Sequence, residues 1–311
     1  MKKITAMIPA YNEEQCIGTL YSTLQPILQQ TNYEYEILFI NDGSTDGTLE
    51  IIKQLRDKDP KVSYISLSRN FGKETAMAAG FDYASGDAVV ILDAEMQHPP
   101  ELIPDMLSLW ERGYDDVYGR RKSRESESFM KRITSKIFYR LLQKLTHITI
   151  LKDTGDFRLL SRRAVNAIKQ YKETRRYTKG IFSLIGYRKT EILFDCKPRL
   201  AGATKWSYLK LINLAVEGVT SFTSSPLRLS TLTCLFVVFL GIIYMLFIVI
   251  KRLVIGDPVI GFPSIIAVII ILGGMQLVSL GIIGEYLARV FDETKRRPLY
   301  FVDEHNGDKV E

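Results

Sequence analysis

Two long uncharged stretches in the last third of the chain limit its architecture more than any other feature. Ser230–Ile250 is 21 residues long and stops at Lys251 and Arg252, and Gly261–Gly284 is 24 residues long. A helix needs roughly 20 apolar residues to cross the hydrocarbon of a bilayer. The pair therefore predicts a transmembrane hairpin within 229–288, with spans at about 230–250 and 261–286. Gly273, Gly274, Ser279, Gly281 and Gly284 make the second run rich in small residues. Small residues permit close helix packing, against the first span or another subunit, so a homo-oligomer such as a tetramer is expected. Lys205, Lys210, Arg228, Arg289, Lys295, Arg296 and Arg297 flank the outer ends, whereas only Lys251 and Arg252 lie in the connecting loop. Basic flanks stay in the cytoplasm. This predicts a multi-pass protein of the inner (plasma) membrane, with residues 1–206 and a tail at 289–311 cytoplasmic.

The rest of the chain reads as soluble. Its 41 Lys+Arg exceed its 35 Asp+Glu, and the excess sits in local clusters. Placed near a membrane, such clusters suit phosphate or anionic lipid, and no nucleic-acid partner is expected. Cys16, Cys196 and Cys234 lie far apart with no metal-ligand spacing, which fits a reducing compartment. Met1–Ile8 is basic and briefly apolar, then cut short by Pro9 and Tyr11-Asn12-Glu13-Glu14. That reads as a first strand, not a signal peptide.

Residues 1–119 alternate short β-rich runs with helical patterns. Strands are expected at Ile4–Ile8, Tyr35–Ile40, Val62–Leu67, Ala88–Leu92 and Asp116–Gly119, with helices from about Glu13, Asp46, Lys73 and Pro100. This spacing means crossover units and an α/β fold with a Rossmann-like, mostly parallel sheet. Ligands of such sheets bind beyond the carboxyl ends of the strands. Ile133, Ile137, Phe138, Leu141, Leu142 and Leu145 predict a helix packed on the sheet. Tyr208, Leu211, Ile212, Ala215, Val219 and Phe222 form one stripe of an amphipathic juxtamembrane helix at 207–228.

The polar motifs fall at the strand ends. Asp93-Ala94-Glu95-Met96-Gln97 follows a buried strand; in extended geometry the two carboxylates point the same way. They and the amide oxygen are hard ligands suited to Mg²⁺ or Mn²⁺, although an isolated acidic pair is more often a solvated loop. Asp42, in Asn41-Asp42-Gly43-Ser44-Thr45-Asp46, is either part of a turn and helix cap or an acceptor for a ribose or base. Asp156 is a base or an orienting group, and Arg158 either holds it or binds a phosphate; a surface ion pair is the plain alternative. Arg120, Arg121, Lys122 and Arg124, and then Arg199 and Lys205, form two basic groups whose Arg forks match phosphate oxygens.

Taken with Ile8-Pro9-Ala10-Tyr11-Asn12-Glu13-Glu14, Ser68-Arg69-Asn70-Phe71-Gly72-Lys73, the extension His98-Pro99 and Gly155-Asp156-Phe157-Arg158, these motifs have a specific order and spacing. The chain resembles the family 2 glycosyltransferases of GT-A fold. Within them it is similar to the polyprenyl-phosphate glycosyltransferases related to dolichol-phosphate mannose synthase, which carry a two-span C-terminal anchor. The resemblance covers nearly the whole chain. It implies a nucleotide site of Pro9, Ala10, Tyr11, Glu13, Asp42, Lys73, Asp93 and Ala94. It implies metal binding by Glu95 and Gln97 with Asp93, and a catalytic carboxylate at Asp156. It implies an acceptor-phosphate site of Arg121, Arg124, Arg158, Arg199 and Lys205. The family usually has Asp where this chain has Glu95, a side chain longer by one methylene.

The expected reaction moves one sugar, from UDP-glucose or UDP-N-acetylglucosamine, to undecaprenyl phosphate, with inversion and a divalent metal. The rivals are a processive polysaccharide synthase and a non-catalytic nucleotide-sugar-binding regulator. The first usually carries Gln-x-x-Arg-Trp and more spans, and neither Trp110 nor Trp206 lies in such a motif. The second is expected to have lost its acids, which are present here.

Overall fold

The computed structural model describes residues 1–122, 154–174, 176–195, 223, 225–255 and 262–310. They fall into two compact units. One takes in the described residues up to Asp195 together with Arg297–Val310, and the other those from Thr223 to Arg296. The predicted helix around Ile133–Leu145 and the amphipathic helix at 207–228, up to residue 222, lie outside the described residues.

The first unit is built on a sheet whose central strand, β1 (Lys3–Ala10), is buried from Ile4 onward. β2 (Glu34–Asn41), β3 (Val62–Leu67) and β4 (Ala88–Ile91) run parallel to it in the order β4-β1-β2-β3. The crossovers are α1 (Glu14–Gln29), α2 (Thr48–Lys58) and α3 (Lys73–Tyr83). Alternate residues of each strand enter different cores. Ile4, Ala6 and Ile8 join Ile37 and Phe39 on one face, and Met7 joins Leu38 and Ile40 on the other. Helix α1 fits the first face because Ile17, Leu20, Leu24 and Leu28 recur at helical spacing. Helix α3 lies so close to β1 that a Cβ on Gly80 would come within 2.4 Å of Met7 Sδ.

Beyond β4 the sheet departs from the simple parallel expectation. A short 3₁₀ turn, Pro100–Leu102, and α4 (Ile103–Glu111) lead to β5 (Asp116–Arg121). β6 (Thr154–Ser161) then inserts antiparallel between β4 and β5. After α5 (Arg162–Ile168) and α6 (Thr178–Leu184), β7 (Lys189–Phe194) pairs parallel with β5. β6 gives little signal in sequence because Asp156 and Arg158 interrupt its apolar residues. Its direction matters for the site: an antiparallel strand brings its first residues to the end where the parallel strands finish.

In the second unit, α7 (Ser225–Ile255) and α8 (Phe262–Thr294) are long enough and apolar enough to cross a membrane, over Ser230–Lys251 and Val268–Thr294. Ser230 Oγ donates to Ser279 Oγ at 2.9 Å, and Cys234 Sγ lies 3.4 Å from the same oxygen. A Cβ at Gly273, Gly274, Gly281 or Gly284 would meet nothing within 4 Å among the described residues, so of the two expected packing partners these glycines do not serve the first span.

From sequence, 289–311 reads as a plain tail, but part of it belongs to the sheet. β8 (Val302–His305) pairs antiparallel with β3, and β9 (Asp308–Lys309) folds back on β8. Lys53 Nζ donates to Glu304 Oε2 at 2.6 Å, and the Tyr64 hydroxyl donates to Glu304 Oε1. Tyr64 N donates to Asn306 Oδ1 at 2.8 Å, and Asn306 N donates back to Tyr64 O at 3.1 Å. The tail thus covers what would be an open sheet edge. Glu304→Ala strands the buried Tyr64 hydroxyl, which costs about 1–3 kcal/mol. The full chain in detergent should melt several degrees lower by tryptophan fluorescence, and Glu304→Gln, which keeps an acceptor, should lose less. An unchanged midpoint would show that the tail adds nothing to stability.

Candidate active site

The parallel strands β1, β2 and β4 end at one edge, and the loops leaving them are tied together. Asn12 adopts a left-handed backbone (φ 55°) just after β1. Its amide N donates to Ser44 Oγ at 3.0 Å, and its Oδ1 accepts from Thr45 N at 2.8 Å. Glu13 N donates to Thr48 Oγ1 at 2.8 Å, and Gly47 N donates to Glu14 Oε2 at 2.9 Å. Asp46 accepts from Thr48 N, at the first residue of α2, at 3.1 Å, while the cap position itself is Gly47 and has no side chain to cap with. These bonds tie the β1 and β2 loops to each other.

Asp42 fixes the next loop. It is buried, and its two oxygens accept from Phe71 N at 2.8 Å and Gly72 N at 2.9 Å. Burial pushes its pKa up, against the pull of those two bonds and Arg69. Gly43 beside it has φ +63°, and a Cβ there would lie 2.3 Å from the Arg69 carbonyl carbon. Only glycine fits this backbone conformation and this approach. The held loop ends at Lys73, the first residue of α3.

Lys73 is the centre of the site. Its Nζ donates to Asp93 Oδ1 and to Asp156 Oδ2, each at 2.6 Å. Asp93 follows β4 and Asp156 belongs to β6. The β4–β6 register pairs Ile91 with Arg158; continued two residues past the ladder, it sets Asp93 opposite Asp156. Burial alone would raise the Asp156 pKa. The Lys73, Lys179 and Arg158 charges and the Lys73 hydrogen bond outweigh it and bring the carboxyl down to about 2. Burial likewise opposes the charge on Lys73, and the two carboxylates outweigh it, so the amine stays protonated. The other Asp156 oxygen, Oδ1, is buried with no hydrogen-bond partner among the described residues.

The remaining expected residues gather around this bridge. Pro9 and Ala10 end β1, and Tyr11 stands exposed beyond them. Burial raises the Glu13 pKa, and the neighbouring Glu95, Asp93 and Asp46 charges add to that rise against a Cys16 hydrogen bond. Glu13 thus shares one acidic wall with Asp93 and Glu95. Asp93 and Glu95 are not in an extended strand: the chain turns at Ala94 and Glu95, and Met96 has φ 54°. Arg121, at the end of β5, donates to Gln97 Oε1 at 3.4 Å. Arg124, Arg199 and Lys205 lie outside the described residues.

Arg158 has a role other than the expected phosphate ligand. It is 2 % exposed, donates to Asp116 Oδ2 at 3.1 Å and lies 3.6 Å over the Phe182 ring. A guanidinium paired and enclosed in this way is a core cation beneath the site. Two neighbours went unmarked in the sequence. Lys179 adds positive charge near Asp156, and Glu74 accepts from Thr178 N at 2.8 Å, anchoring the start of α6. His98, also buried, comes within 3.8 Å of Asp93, and burial lowers its pKa.

Acidic groups gathered at the carboxyl ends of parallel strands, beside the exposed Tyr11 ring, occupy the place where such sheets bind ligands. Residues 5–169 match the family Glycosyl transferase family 2, and residues 225–290 match the GtrB C-terminal hairpin. The chain is 45% identical over 302 residues to an uncharacterized glycosyltransferase of Synechocystis, covering 97% of this chain and 95% of that protein. It is 42% identical over 306 residues to the SfII prophage-derived bactoprenol glucosyl transferase of Shigella flexneri, covering 98% and 99%. Among solved structures, glucosyl-3-phosphoglycerate synthase from Mycobacterium tuberculosis is similar with a TM-score of 0.49 and 16% identity, over 71% of this chain and 78% of that one. The chain belongs to glycosyltransferase family 2 and has the GT-A type of α/β fold.

Two outcomes follow from this geometry. Asp42→Asn replaces one acceptor oxygen by a donor facing a backbone N–H, at a cost of about 1–3 kcal/mol, and should lower the thermal midpoint. An unchanged midpoint would mean that the two bonds do not hold the loop. Asp156 starts from an ordinary value of 3.8 and sits at about 2. A depressed carboxyl stabilises the fold above its unfolded pKa and loses that contribution as pH falls through its folded value. Acid unfolding of wild type should therefore show this loss only between about pH 4 and 2. In Lys73→Met, where the largest lowering charge is gone while Lys179 and Arg158 remain, the contribution of Asp156 should shrink; identical acid titrations would contradict the coupling.

Proposed function

We propose that this chain transfers a single glucosyl group from UDP-glucose to undecaprenyl phosphate at the cytoplasmic face of the inner membrane, with inversion and a divalent metal. The observation that carries the reading is the Lys73 bridge between Asp93 and Asp156 at the strand ends. Full-length similarity to a protein described as a bactoprenol glucosyl transferase supports the acceptor and the sugar. It favours glucose over N-acetylglucosamine.

Tyr11, with its exposed ring, flanks the base, and Pro9, Ala10, Glu13 and Asp42 frame the nucleoside. Asp93, Glu95 and Gln97 offer hard oxygens to Mg²⁺ or Mn²⁺. Among the described residues no three His, Cys, Asp or Glu form a ready metal cluster. The Lys73 ammonium pairs with both Asp93 and Asp156. The buried Oδ1 of Asp156, which lacks a partner among the described residues, fits an incoming polar or cationic group. When bound, the metal supplies charge neutralisation at the leaving diphosphate.

The reaction is one displacement. An oxygen of the acceptor phosphate forms a bond to the anomeric carbon, and the bond to UDP breaks with its electron pair leaving on the diphosphate. A phosphate monoester loses its second proton at about pH 6, so the nucleophile needs no strong base at neutral pH. Asp156, held at about 2, is a poor base and a good fixed anion. Its role is to orient the sugar and acceptor; Lys73 and Arg121 screen the two anionic substrates from each other, with Arg124, Arg199 and Lys205 as further acceptor ligands. Positioning and electrostatics supply the rate.

The hairpin fits a lipid acceptor. Residues before α7 and after α8 build one sheet, so the segment between them crosses a membrane an even number of times. Both flanks then share the basic, cytoplasmic side.

The test is incubation of the full chain in detergent with undecaprenyl phosphate, Mg²⁺ or Mn²⁺, and UDP-glucose, UDP-N-acetylglucosamine or GDP-mannose. The expected product is a lipid bearing one β-linked glucose, from UDP-glucose, lost with chelator and reduced at least 100-fold by Asp93→Asn or Asp156→Asn, in line with loss of preorganised electrostatics. Between pH 5 and 8 the acid limb should follow the acceptor phosphate and not Asp156. Nucleotide binding without a lipid product from any donor would rule out the acceptor.

A further inference from the structure

His98 is an unusual core residue. It is 3 % exposed. Its ring stacks on Phe157 at 5.1 Å with planes 8° apart, and meets Phe194 edge-on at 5.7 Å. Phe157 and Phe194 also pack edge-to-face at 5.7 Å, so three aromatic rings lock one another. The backbone crowds the ring as well: a Cβ on Gly155 would sit 3.4 Å from His98 Nε2.

Despite this tight setting, Nδ1 has no hydrogen-bond partner among the described residues. A buried polar atom left idle is destabilising, and a phenylalanine of similar shape would avoid that. The atom is aimed at the site: Nδ1 lies 3.8 Å from Asp93 Oδ2, while Lys73 holds Asp93 Oδ1 at 2.6 Å. Closing the first gap to hydrogen-bond distance needs a shift of about 1 Å. Asp93 therefore stands between one donor already engaged and one in waiting.

We propose that His98 is a positioning residue for the transfer, its Nδ1–H taking hold of Asp93 when Lys73 is drawn toward the donor diphosphate. The inference rests on the reading of Asp93 as a group at the diphosphate. No proton is transferred; a hydrogen bond replaces an ion pair, and the carboxylate keeps its aim as its first partner leaves. The locked rings supply the rigidity that such an outer partner needs. Partners of this kind change metal affinity or activity by about 10–100-fold.

The test uses the full chain in detergent. Wild type labelled with ¹⁵N-histidine carries only His98, His147 and His305, so its spectrum can be assigned by substitution. With Mn²⁺ replaced by Mg²⁺ to avoid paramagnetic broadening, added UDP should give His98 a protonated, hydrogen-bonded Nδ1. His98→Phe keeps the stack and removes the nitrogen. It should bind Mn²⁺–UDP at least tenfold more weakly by electron paramagnetic resonance, and kcat for the donor should fall more than KM rises. His98→Asn places an amide near the Nδ1 position and should recover part of both, whereas His98→Gln, which reaches toward Nε2, should not. A deprotonated Nδ1 in the UDP complex would overturn the proposal, even if every variant failed to fold. So would a folded His98→Phe protein that binds and turns over like wild type. A wild type that binds Mg²⁺–UDP with the expected His98 signal but glycosylates no lipid would overturn the acceptor reading and leave this one standing.

Discussion

The ammonium of Lys73, shared between Asp93 and Asp156, is the contact on which the rest of the site depends. Two carboxylates this close repel each other unless a cation stands between them. The fold brings them together by topology: β4 ends where the antiparallel β6 begins. It then supplies the cation from a third element, at the first residue of α3. Without that charge, only Lys179 and Arg158 would oppose burial, and the Asp156 carboxyl would rise. With it, the Asp156 carboxyl is held at about 2, well below the usual carboxylate range.

The placement of Lys73 is secured from several directions. Asp42 takes the two backbone N–H groups just before it. Gly43 lets the β2 loop lie against Arg69. From the far side, the C-terminal segment reaches the same loop: Ser68 N donates to Phe301 O at 3.0 Å, and the Phe301 and Phe71 rings lie 6.5 Å apart. The stretch that follows the second long helix therefore helps hold the loop that aims Lys73.

Much of this was readable in the residues. Continuous apolar runs such as Ile37–Ile40 and Val89–Leu92 mark strands covered on both faces, and the acids beyond them mark the ligand end. What sequence could not convey was pairing. β6 alternates polar with apolar residues, so nothing local indicated that it would enter the sheet beside β4. Arg158 looked like a phosphate ligand because Arg types are, yet its strand position buries it against Asp116. Asp93-Ala94-Glu95 looked extended by proximity to a strand, and a left-handed Met96 turns it instead. The tail held no apolar run long enough to announce β8, because its ties to β3 are made by Glu304 and Asn306. These are long-range matters, settled by register and partners that a linear reading does not contain.

The central claim is that Lys73 is the shared counter-ion that holds Asp93 and Asp156 together. Its most direct test is a Mn²⁺ titration of the donor-free full chain by electron paramagnetic resonance, with wild type and Lys73→Met side by side. The account predicts weak binding by wild type and at least tenfold tighter binding by Lys73→Met, whose two freed carboxylates lack a counter-ion. Equal affinity, or weaker binding by a folded Lys73→Met protein, would contradict it.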